Sequence, residues 1–80
     1  MKIQCLNLAQ LPLTTPAKIV SIQGGQNVSE RLNEVGLHLG DRITVIRRAA
    51  LKGPLLVQCG GLEIAIGRHI AAKIFVEAPA

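Results

Sequence analysis

Leu55-Leu56-Val57-Gln58-Cys59-Gly60-Gly61-Leu62-Glu63-Ile64-Ala65-Ile66 decides the fold class of this chain. Residues 55–59 form a short apolar run of strand length, and beyond the glycines Leu62, Ile64 and Ile66 line one face of a second run. A break of two residues admits only a hairpin, and a Gly-Gly pair supplies the positive φ values that a primed turn needs. Upstream, Lys52, Gly53 and Pro54 are turn chemistry, and they separate the hairpin from Arg42–Arg48, where Ile43 and Val45 alternate as in a strand. Downstream, 68–72 is long enough for one helical turn, and Ile74 and Val76 then alternate within a further strand, 73–77.

The amino-terminal half adds one strand and one helix. Ala-Lys-Ile-Val-Ser-Ile-Gln at 17–23 is β-branched and follows Pro16, which favours extended backbone. Gly24 and Gly25 break this strand, and Asn27 with Glu30 has the spacing of a capping box. Val28, Leu32 and Val35 form one apolar stripe on the expected helix, and Gly36 stands where a left-handed stop belongs, with Leu37 folding back behind it. Leu8, Leu11 and Leu13 predict a helical turn over one end of the domain. The expected architecture is therefore mostly β: a small five-stranded SH3-like barrel, about 17–77, with one short helix inserted after the first strand. Curling into a barrel would protect the strand edges of so small a sheet.

Eighty residues support a single domain, here 1–80, with an aliphatic core in which Phe75 is the only aromatic residue. No apolar run approaches the roughly 20 residues of a membrane-spanning helix. Asn7 and Gln10 interrupt the apolar centre that a secretory signal requires, so a cytoplasmic location is expected. Cys5 and Cys59 match no zinc or redox spacing and are read as free thiols. The net charge of +4 suits nucleic acid or an acidic protein surface. A lone phenylalanine makes no stacking platform, so nucleic acid is the alternative rather than the expected partner.

No constellation points to catalysis. The five acidic residues are scattered and no hydroxyl, histidine and carboxylate set is placed by spacing. His38 and His69 lie far apart and read as loop histidines, and Gly24-Gly25 reads as a strand-to-helix turn rather than an anion cradle. No catalytic, cofactor-binding or metal-ligating residue is assigned, and a metal-sensing module built on Cys5, Cys59 or a histidine is kept as an alternative. Arg47, Arg48, Lys52 and Arg68 are the candidate docking charges, although Arg47 and Arg48 must point to opposite faces of a strand. Arg31, Glu34 and Leu37 form a second candidate contact zone.

The string Arg31-Leu-Asn-Glu-Val-Gly-Leu-His-Leu-Gly-Asp41 resembles the FeoA family, the small cytoplasmic component of bacterial ferrous iron transport. Matching positions are Leu32, Gly36, Leu37, Gly40, Val45, Arg47, Arg48, Gly53 and Pro54, followed by Gly60 or Gly61, Arg68, Ile74 and Val76. The resemblance runs from Leu8 to Glu77, with departures at Val35, Leu39, Ala50 and Gly67. It implies a non-enzymatic accessory protein that binds and modulates an FeoB-type membrane transporter bearing a cytosolic GTP-binding domain. By that implication it reaches the membrane only through its partner, uses no cofactor, and leaves self-association open. The same module also occurs as the carboxy-terminal domain of iron-dependent repressors.

Overall fold

A computed structural model describes residues 2–80; Met1, the first residue of the expected domain, lies outside the described residues. The elements in chain order are β1 (Ile3–Asn7), a 3-10 turn (Leu8–Gln10), β2 (Ala17–Ile22), α1 (Gly25–Glu34), β3 (Arg42–Arg48), β4 (Leu55–Cys59), β5 (Leu62–Ile66), α2 (Arg68–Ala71) and β6 (Ile74–Pro79). The strands pair antiparallel in the order β1-β6-β2-β3-β4-β5. β3 joins the two halves of this sheet, pairing with β2 at Arg42 and Ile43 and with β4 from Thr44 onward.

The fold is the expected mostly β, SH3-like one, with six strands rather than five. The added strand is β1, paired along its length with β6 from Ile3 opposite Pro79 to Asn7 opposite Phe75. Its exposed first residues carry no inside-outside alternation, and its order comes from the ladder with a strand some seventy residues away in the chain. Among the described residues β1 and β5 remain the two ends of the strand order, so curling does not pair these edges with each other.

The capping box also falls elsewhere. α1 begins at Gly25 behind Gly24, whose φ is +99°, so Asn27 already lies inside the helix and caps nothing. Glu30 instead accepts a hydrogen bond from Gln26 Nε2 at 2.9 Å. The reciprocal pair forms at Asn7 and Gln10, where Asn7 Oδ1 accepts from Gln10 N at 3.1 Å and Asn7 N donates to Gln10 Oε1 at 3.3 Å. That closes the 3-10 turn expected from the leucines, with Leu8 and Leu11 fully buried and Leu13 exposed.

The end of α1 follows the expected stop. Gly36 has φ +101°, its N–H donates to Asn33 O at 3.1 Å, and Leu37 N donates to Leu32 O at 2.9 Å. These are the two bonds of a Schellman motif, with Leu32 and Leu37 sharing the core as its hydrophobic pair. The α1 stripe is only partly inward: Leu32 is buried, Val28 half-buried and Val35 exposed. At the second glycine pair, Gly60 and Gly61 have φ +57° and +84° between Cys59 and its partner Leu62, as a primed hairpin turn requires.

Ile43, Val45, Leu55, Val57, Ile74 and Val76 fill the interior from three strands, completed by Leu8, Leu11 and Leu37. A bulge in β3 matters for the surface. Val45 opposes Val57, but Arg47 opposes Leu56 and Arg48 opposes Leu55, leaving Ile46 without a partner. Opposed residues share a face, so this extra residue turns Arg47 out with Leu56 and Arg48 in with Leu55.

Candidate functional site

The candidate docking residues separate into exposed and interior ones. Leu37 is fully buried as the Schellman partner of Leu32 and has no surface to offer. Arg48 is half-buried, and its Nη2 donates to Ala9 O at 3.1 Å and to Leu11 O. It is a clasp that fastens the 3-10 turn to β3, because the bulge aims it inward. Both residues therefore leave the docking set. Arg31, Glu34, Arg47, Lys52 and Arg68 are exposed.

Two depressions organise what remains. A groove of about 170 Å³ runs between α1, β5 and the start of α2, floored by Leu32 and Ile66 and walled by Val28, Val35, Ile64, Ala65, Gly67 and Ile70, with Arg31 as its one charged residue. Its volume is below the ~300 Å³ of ordinary small-molecule pockets, so a side-chain-sized guest fits it better. Arg68 follows Gly67 in the chain, and Glu34 sits on α1 beside Val35 outside the lining. The second depression is lined by Arg47, Ala49, Pro54, Leu55, Leu56 and Ala65. Ala65 lines both, so the two depressions adjoin at β5; of the exposed candidates Arg31 lines one and Arg47 the other, while Glu34, Lys52 and Arg68 line neither.

Val28, Val35, Ile64 and Ile70 are legible in the sequence only as apolar positions of amphipathic elements. They line the groove because no further element among the described residues covers them, which the α1 periodicity does not disclose.

A third cluster surrounds Asp41. The His38 backbone N–H donates to Asp41 Oδ2 at 2.9 Å, the His38 Nδ1 lies 3.3 Å from the same oxygen, and the Cys59 thiol donates to it at 3.8 Å. Burial first, then the Asp41 charge and the bond to it, push the Cys59 thiol above its ordinary range, which keeps it protonated and unreactive. Cys59 is buried and Cys5 exposed, and both are free. Among the described residues no three His, Cys, Asp or Glu side chains form a group able to hold a metal ion. No helix among them is long and apolar enough to cross a membrane.

Strand order and the inserted helix define a small SH3-like module. Its family follows from comparison: the model of the FeoA domain matches residues 6–78, and the chain belongs to the FeoA family, whose members serve ferrous iron transport. A protein of Methanocaldococcus jannaschii provisionally named Fe(2+) transport protein A is 37% identical over 59 residues, which cover 74% of this chain and 70% of that one. The FeoA protein of Chlorobium tepidum superposes with a TM-score of 0.83 at 31% identity, over 94% of this chain and 71% of that one. FeoA of Stenotrophomonas maltophilia, solved with zinc and described as a prokaryotic SH3 domain protein, gives 0.75 at 27% identity, over 92% and 96% of the two chains.

Proposed function

We propose that this protein is a non-enzymatic cytoplasmic accessory of ferrous iron uptake that docks on the cytosolic GTP-binding domain of an FeoB-type membrane transporter. Family membership supplies the setting, and the groove between α1 and β5 carries the docking itself. An apolar trough with an arginine on its rim fits an amphipathic acidic segment, whose apolar side chains enter the trough while its carboxylates meet Arg31 and Arg68. The adjoining depression at Arg47 extends the contact for a longer segment.

Titration calorimetry of the purified protein against the transporter's cytosolic domain, with and without a GTP analogue, tests the reading. Saturable binding is expected, weakened about tenfold or more by Arg31→Glu and by Val35→Asp. Gln58→Ala, on β4 and outside the groove, leaves it unchanged. Absence of binding in every nucleotide state would sink the proposal.

A further inference from the structure

The turn between β3 and β4 holds a large apolar side chain wholly in solvent. Leu51 is 99% exposed, against 64% for Ile3 and 63% for Leu39, the next most exposed. It sits at the apex of a hairpin closed by Ala49 N donating to Pro54 O at 3.0 Å and Gly53 N donating to Ala50 O at 3.1 Å. Both central residues are left-handed, Leu51 at φ +57° and Lys52 at φ +60°. Gly53 allows the tightness, since a Cβ there would lie 2.7 Å from that of Ala49.

Such a primed turn favours Asn-Gly or Gly-Gly, as this chain itself uses at Gly60 and Gly61. At the β3–β4 apex the backbone strain falls on a leucine and a lysine instead. An observed outlier of this kind points to a role for the side chains it presents. Around the apex Ala49, Ala50 and Pro54 are exposed and apolar, and Arg47 and Lys52 are exposed and cationic. From Arg42 to Leu62 the chain has no Asp or Glu. An apolar apex in front of a cationic collar, on a hairpin that carries no carboxylate of its own, matches the layering of an anionic bilayer: apolar chains inside, phosphates outside.

We propose that the β3–β4 tip is a membrane contact, with Leu51 entering the boundary between headgroups and acyl chains and Lys52 and Arg47 meeting anionic headgroups. The proposal needs lipid alone; it shares Arg47 with the depression beside the docking groove, whereas Leu51 and Lys52 line neither depression. It replaces contact with the membrane through the partner only by a direct one.

The chain has no Trp or Tyr, so Leu51→Trp introduces its only indole. With vesicles of phosphatidylcholine containing about 30% phosphatidylglycerol at low salt, wild type is expected to float. In the Leu51→Trp variant the indole emission is expected to shift blue and to be quenched by brominated acyl chains. Pure phosphatidylcholine, high salt, or Arg47→Glu with Lys52→Glu should each reduce binding roughly tenfold or more. Leu62→Trp is the positional control, since Leu62 is exposed and opens β5 opposite Cys59 at the far end of β4, roughly 20 Å from the tip. Its emission should stay unshifted, and circular dichroism should show every variant folded. Failure of wild type to float on anionic vesicles overturns the proposal in favour of a protein socket for Leu51. A blue shift in the Leu62→Trp variant in place of the Leu51→Trp variant overturns it too, by putting the opposite end of the hairpin on the bilayer.

Discussion

At the scale of single residues, Arg48 and Cys59 show how position overrides chemical type. Arg48 carries the same charge as Arg47, yet its guanidinium is bonded to two backbone carbonyls at the 3-10 turn. Removing it leaves those acceptors without a charged donor, so Arg48→Ala is expected to lower unfolding free energy by about 2 kcal/mol, measured by urea denaturation. Both bonds leave from the one Nη2, so Arg48→Lys, whose ammonium also carries several donors on a single nitrogen, is expected to recover part of the loss. Binding to the transporter domain should be unchanged in whatever fraction stays folded. Cys59 gives a pH dependence whose sign is set by its raised pKa. Above about pH 8.5 the unfolded thiol ionises while the folded one keeps its proton, so the unfolded state binds fewer protons and stability falls as pH rises. Urea midpoints of wild type should therefore decline from about pH 8 to 10 more steeply than those of Cys59→Ala, which lacks this group. Equal slopes would remove Cys59 as the cause.

At the scale of elements, the β3–β4 hairpin and α1 divide what the sequence discloses from what it does not. Replacing Leu51-Lys52 by Asn-Gly gives the left-handed turn the residues it favours and should stabilise the protein by about 1–2 kcal/mol, read as a higher melting temperature. The same double substitution should abolish flotation on anionic vesicles, separating stability from contact. The Gly60-Gly61 hairpin and the Gly36 stop are legible because backbone sterics single out glycine at positive φ, whatever the tertiary surroundings. The expected Asn27 cap fails for a local reason as well: Gly24 already turns the chain, so the helix starts before the asparagine is reached. Asn7-x-x-Gln10 has the same spacing, and it closes because nothing upstream starts the turn earlier. Strand β1 escapes the sequence pattern since its support is long-range pairing with β6 rather than an alternation of its own. Of the candidate site, the exposed charges Arg31, Arg47, Lys52 and Arg68 are legible from the sequence. The burial of Leu37 and the inward turn of Arg48 need the packing and the bulge.

At the scale of the whole molecule, both margins of the strand order depend on short elements. Deleting residues 2–7 strips the outer partner from β6, whose Val76 and Ala78 are buried. Several ladder bonds at about 1 kcal/mol each would be lost and an apolar edge left open. The truncated chain should therefore melt well below the full one and elute as larger species in size-exclusion chromatography, whereas an unaltered monomer would show β1 to be dispensable. β3 serves both halves of the sheet, and its unpartnered Ile46 has a consequence for descent. The strand carries one residue more than its ladder uses. A homologue shorter by one residue at this point can still set Val45 against Val57 and an arginine against Leu55, presenting the same inner face to the same core. Length variation of one residue is thus hidden from selection on the interior here, and the spare position is where β3 is free to drift among relatives.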